Sequence, residues 1–261
     1  MIGELAVRAA EAWVVAAALQ LALWLVQQRT RSAGIVDVGW AGSFTLVIAL
    51  FAWRSTAPAS AWWPLAAIAI TWSLRLTAHL LARGAAGIPE EGRYVALRAR
   101  WAPHASRRFL VFFQAQAALT GILSLAFVAP FVMAPRCTAL QIAGAALAAL
   151  ALVGEAIADA QLAAFKKRGT GGVCDVGLWS WSRHPNYFFE WCVWLGYAIH
   201  GLAFWPHGAI AIVPQALLLC SILFVTGIPP TEIQSIRSRG DAYRAYQARV
   251  SKFVPWPPKR S

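Results

Sequence analysis

Residues 109–130 read FLVFFQAQAALTGILSLAFVAP. The stretch holds no Asp, Glu, Lys or Arg, and an α-helix needs roughly 20 apolar residues to cross the hydrocarbon core of a bilayer. The pattern recurs on both sides. Further spans are expected at 6–26, 35–53, 62–82, 139–164, 187–205 and 208–226. Apolar residues make up 59% of the chain and charged residues 13%, whereas a soluble domain sits nearer half and a quarter. No linker, low-complexity tract or internal repeat marks a boundary. The reading is one all-α polytopic membrane domain over 1–261, of about seven transmembrane helices, with a tail at 232–261.

The formal charge of +12 could suggest nucleic acid, but its distribution argues for membrane topology. Alternating seven spans gathers 19 of the 23 basic residues on one side. Arg29 and Arg31 follow the first span, six arginines from Arg83 to Arg108 follow the third, Lys166 to Arg183 precede the sixth, and the tail carries the rest. The other side keeps Arg8, Arg54 and Arg136. The positive-inside rule then predicts an N-terminus outside and a C-terminus in the cytoplasm, which suits a multi-pass protein of a bacterial inner (plasma) membrane. Trp53, Trp62 and Trp63 fall where an interfacial belt would lie. The first segment, interrupted by Glu4, Arg8 and Glu11, does not read as a cleavable signal. The four cysteines show no metal spacing, and neither a disulfide nor a metal site is expected.

Ionisable residues inside spans are costly and usually face a cavity or a partner. Trp72, Arg75, His79 and Arg83 recur at helical spacing on one face of the third span. Arg75 could also snorkel to the headgroups. Asp37 opens the second span, where a carboxylate can cap free backbone N–H groups. Glu155 and Asp159 stand one turn apart, with Lys166 further along. They could hold a ligand or simply pair with Arg75.

The densest stretch is GLWSWSRHPNYFFEWCVWLGY, 177–197. Arg183 suits a phosphate, and His184 titrates near neutrality. The Asn186 amide suits a carboxamide, Tyr187 adds a hydroxyl, and Glu190 lies one turn beyond Asn186. The blander alternative is an aromatic, basic interfacial collar. Glycines 169, 171 and 172 precede it without the spacing of a dinucleotide fingerprint; they read as a flexible loop or as a phosphate cradle. Ile233, Ile236, Tyr243, Tyr246 and Val250 recur near helical spacing in the tail, with Gly240 as a helix stop and Asp241 as the next N-cap. Such a helix could lie on the inner leaflet or close over a ligand.

GIVDVGW at 34–40, GLWSWSRHPNYFFEW at 177–191, and VTGIPPTE with GDAYRAYQARVSKFVPWPP within 225–258 resemble the DUF1295 proteins and the wider steroid 5-alpha-reductase (3-oxo-5-alpha-steroid 4-dehydrogenase) superfamily. The resemblance implies NADPH as cofactor and reduction of a C=C bond conjugated to a carbonyl in a sterol- or isoprenoid-like substrate drawn from the bilayer. It implies cofactor-binding roles for Arg75, Arg83, Asp159, Lys166, Arg183, His184, Asn186 and Tyr187, and for Glu232, Tyr243 and Tyr246 of the tail. It implies catalytic roles for Glu190 and Asp37, and a substrate-side place for Trp72. Trp72 is a departure, because steroid reductases align a tyrosine there and an indole N–H gives up no useful proton. Two other classes stay open. Isoprenylcysteine and phospholipid methyltransferases share the RHP-x-Y motif, use S-adenosylmethionine and usually carry paired glutamates where this chain has Thr231–Glu232. The third class is a non-catalytic lipid-binding protein.

Overall fold

The computed structural model describes residues 2–87, 89–136, 138–169 and 171–259. Cys137, Thr170, Arg260 and Ser261, which enter the cysteine, loop and tail readings above, lie outside them. The described residues form helices and no strand. They group into two compact units, 1–141 with 201–214, and 142–200 with 215–261. No composition shift in the sequence marks this division.

The first unit contains α1 (Ile2–Thr30), α2 (Ile35–Trp53), α3 (Ala59–Ala82), α4 (Gly92–Arg100), α5 (Ala105–Leu123) and α6 (Leu125–Val132). α1 packs against α5 and α2, and α2 packs against α3. Close approach is made possible by small residues: a Cβ on Gly121 would lie 2.9 Å from Cβ of Trp13, and one on Gly39 would lie 2.1 Å from Leu23. The core is aromatic. Phe44 meets Trp72 edge-on at 5.3 Å and Phe127 at 6.2 Å, and Phe51 meets Phe131 at 5.7 Å. Such pairs add stability beyond the area they bury.

The uncharged stretch 109–130 bends by 43° between α5 and α6. The Ser124 hydroxyl donates to the carbonyl of Gly121 at 2.7 Å, and a Gly/Ser pair of this kind is a known cause of kinks. At one end of the unit Arg8, which is buried, binds Glu4, Glu11 and the carbonyl of Arg54. Trp53 and Trp63 there are exposed, while Trp62 turns inward and stacks on Phe131.

The second unit is built on α7 (Thr138–Lys167) and α8 (Pro185–Leu202). A Cβ on Gly144 would sit 2.4 Å from the His200 nitrogen, and one on Gly196 would sit 2.7 Å from the Gly144 carbonyl oxygen. Here the two backbones touch, as membrane helices do where small residues meet. α9 (Ile212–Cys220) runs through a π-helical turn at Ser221–Val225 towards α10 (Ile228–Arg239) and α11 (Asp241–Arg249). Gly240, with φ +56°, ends α10 and starts α11, so glycine and not Asp241 occupies the cap.

Among the described residues, five helical segments are long and apolar enough to cross a membrane, and six if the bent α5–α6 pair counts as one span. The stretch expected to cross at 187–205 is α8, an 18-residue helix that carries Asn186, Glu190 and His200 and is not among those segments.

Candidate functional site

Each unit gathers part of the expected residues, and each part has its own construction. In the first unit, Asp37 lies in the first turn of α2, yet it caps nothing: the cap position is Gly34, with no side-chain bond. Its carboxylate instead binds Arg93 and accepts a hydrogen bond of 2.9 Å from the Tyr94 hydroxyl, both from α4. A cap needs a residue just before the helix, and Asp37 is already inside it. Tyr94 is 1% exposed. Burial, reinforced by the adjacent Asp37 carboxylate, pushes its hydroxyl well above the ordinary phenol range, so it stays a proton-bearing donor at neutral pH.

The loop leading to α4 is fastened by Glu90. It accepts two bonds from Arg98, at 2.7 and 3.0 Å, and one from the backbone N–H of Ala33 at 2.7 Å. Gly34 has no room for a side chain, because a Cβ there would lie 1.9 Å from the Ala85 carbonyl. The opening of GIVDVGW is thus a docking point for the loop after α3. Of the α3 face, Trp72 is fully buried between Phe44 and Trp40, Arg75 is half-buried, and Arg83 is exposed at the C-cap.

In the second unit the RHPNY segment is held from both sides. The turn 177–180 sits on α7: the Trp179 indole donates to the Ala158 carbonyl at 2.9 Å, and the Leu178 N–H donates to Gln161 at 2.9 Å. Arg183 is 9% exposed. Its Nε donates to Glu232 at 2.7 Å, and its Nη1 donates to the carbonyls of Val250 and Gln247 at 2.7 and 3.1 Å. Gln247 donates to the other oxygen of Glu232 at 3.1 Å, and His184 lies 3.4 Å from the first. Three guanidinium N–H bonds are therefore committed to the chain itself. Through its Nε and Nη1 Arg183 forms a clasp between the RHPNY segment and the tail.

Asn186 donates to Asp159 at 3.3 Å, and its oxygen accepts from the Tyr187 N–H at 3.0 Å. Tyr187 stacks on His184 with ring centroids 5.5 Å apart and reaches Thr231 at 3.3 Å. Glu190 accepts the Trp194 indole N–H at 3.0 Å. Tyr243 and Tyr246 are buried with Val250 against Val173 and Ile236. The Tyr246 hydroxyl donates to the Trp179 carbonyl at 2.5 Å. Tyr243, Tyr246 and Val250 of the tail are thus spent inside the protein, while Ile233 is 52% exposed. Lys166 lines a cavity of about 510 Å³ with Phe165, the three loop glycines, Ser238, Arg239 and Ala242. Gly169, Gly171 and Gly172 all have positive φ, which glycine adopts without steric cost. Cys174, Cys192 and Cys220 are free thiols.

Tyr94 and its neighbour Arg93 are the residues that sequence reasoning missed. The available signal was a lone tyrosine within GRYVALRAR, 92–100, in a segment too charged to be a span.

No curated protein and no solved structure matches the chain. The sequence profile of DUF1295, described as a protein of unknown function, matches residues 23–250. That range takes in the Asp37–Tyr94 pair, the RHPNY segment and the tail helices, and the chain belongs to the DUF1295 family.

Proposed function

We propose that this protein is a membrane-embedded, NADPH-dependent reductase of a C=C bond conjugated to a carbonyl in a lipid-like substrate. The observation that carries the reading is the Tyr94 hydroxyl on Asp37. Conjugate reduction places developing negative charge on the carbonyl oxygen, which needs a preorganised donor. Trp72 offers no transferable proton, whereas the Tyr94 phenol has one O–H, held by Asp37, that would have to turn to the substrate oxygen when substrate binds. Bound NADPH supplies the hydride. Lys166 and Arg239, on the glycine-lined cavity, would bind its phosphates, and Asn186 would bind a carboxamide after exchanging its bond to Asp159. Within the second unit, Glu190 stands one turn from Asn186 as an alternative acid.

A methyltransferase reading draws on one feature, the carboxylate of Glu232 against the RHPNY segment. The two separate on binding. Detergent-purified protein should bind NADPH with micromolar or better affinity by isothermal titration and ignore S-adenosylmethionine. Binding of S-adenosylmethionine alone would assign methyl transfer, and binding of neither would assign a non-catalytic lipid protein.

A further inference from the structure

We propose that residues 251–259 form an interfacial anchor that binds the surface of an anionic bilayer. The segment is ordered despite three prolines, because its backbone is tied down. The Arg183 N–H donates to the Ser251 carbonyl at 2.9 Å, the Ser182 hydroxyl to the Phe253 carbonyl at 2.7 Å, and the Trp256 N–H to the Trp181 carbonyl at 2.9 Å. This tether presents an apolar surface to the outside. Trp181 is 47% exposed, Val254 52% and Trp256 70%. Two indoles left open on a fixed backbone are unusual on a water-facing surface and common at a membrane interface, where one end of the ring is wet.

The height of the segment fits that interface. Phe253 packs on Phe188 and Trp191 at 5.7 and 5.9 Å, in the first two turns of α8. In the same turn Asn186 reaches Asp159 of α7, about two turns before that helix ends in Lys166 and Lys167. α7 is long and apolar enough to cross a bilayer, so its lysines mark where the hydrocarbon stops. Phe253 meets α8 about two turns to the bilayer side of those lysines, and Trp256 is bound to Trp181, ahead of the start of α8.

Charge selects the lipid. Lys252 and Lys259 are exposed, and residues 242–261 include no Asp or Glu. Basic residues beside a membrane are attracted to anionic headgroups within a Debye length. The prolines at 255, 257 and 258 keep the segment extended, so little order is lost when Trp256 inserts. The anchor does not depend on the proposed reductase activity.

Full-length protein with Trp256→Cys, labelled with an environment-sensitive fluorophore, would be placed in nanodiscs of phosphatidylcholine alone or with phosphatidylglycerol. Unmutated protein treated with the label gives the background. Shallow spin-labelled lipids should quench the probe at least about twofold more with the anionic lipid, and 0.5 M salt should cancel the difference, since screening weakens exposed charges. A probe at Val254→Cys should behave alike, and Lys252→Glu with Lys259→Glu should erase the lipid preference at either position. Equal quenching in the two lipids, or quenching by aqueous iodide alone, overturns the proposal.

Discussion

Arg183 donates from its Nε to Glu232 across 2.7 Å, joining the segment before α8 to the first turns of α10. Both side chains are largely withdrawn from solvent, with exposures of 9% and 16%. A charge left behind in such a pair is costly. Arg183→Ala should destabilise the protein by about 3–5 kcal/mol, the range for breaking a buried ion pair. It also frees the carbonyls of Gln247 and Val250. Arg183→Lys should recover little, because one ammonium cannot reproduce the fork. Thermal unfolding in detergent measures the loss, and a shift for Ala no larger than for an exposed arginine such as Arg237 would remove the clasp from the account.

The same cluster gives a pH dependence. Burial holds the His184 imidazole below its ordinary value of 6.5, against the opposing pull of Glu232. The unfolded chain then takes up a proton at a higher pH than the folded one. In the interval below 6.5 the unfolded state binds more protons, so stability falls as pH falls. The expected result is a lower Tm at pH 5.5 than at 7.5, with a shallower slope in His184→Gln. A Tm that rises on acidification would mean that Glu232 wins over desolvation.

Topology is a separate matter, resting on the charge distribution alone. Reporter fusions at the C-terminus and in the 131–138 loop should fall on opposite sides, the C-terminal one in the cytoplasm. Both reporters on one side would require an even number of spans between them, an odd shift from the three expected. α8 is the helix to examine then, because its polar residues weaken its case as a span.

The membrane class was legible because apolar runs of span length need no partner to be recognised. α1, α2, α3 and α7 all cover their expected spans. The bend in 109–130 was not, since Gly121 and Ser124 are ordinary residues in a membrane helix until one bonds to the other. The tail shows a different limit. Its apolar period is visible in Tyr243, Tyr246 and Val250, but period does not say what buries it. The 173–183 loop does so here, a choice made by shape and by the Tyr246–Trp179 bond. Asp37 could be located but not partnered, because Tyr94 is 57 residues away in sequence.

Tyr94→Phe tests the proposed proton donor. It removes one O–H and leaves Asp37 its ion pair with Arg93, so the stability cost should be only about 1 kcal/mol, as for a single hydrogen bond. NADPH affinity should be unchanged, and reduction of an enone substrate should drop by roughly 10²-fold or more, within the range for a lost acid catalyst. Stopped-flow hydride transfer separates the two effects. Unchanged turnover would return the acid role to Glu190.

Glu190 is tested by replacement with glutamine. Its carboxylate accepts the Trp194 indole N–H at 3.0 Å one turn further along α8, and a glutamine oxygen can accept the same bond. The isostere therefore keeps the local geometry while removing the acid. If Glu190 moves a proton in the reaction, Glu190→Gln should bind NADPH as the parent does and turn over at least about a hundredfold more slowly. If it is instead the charged half of a structural pair, the same change should lower the Tm sharply, because a partner would be left buried and uncompensated. A glutamine variant with parental Tm and parental turnover would leave Glu190 as no more than an indole acceptor, and the Asp37–Tyr94 pair would carry the acid chemistry alone.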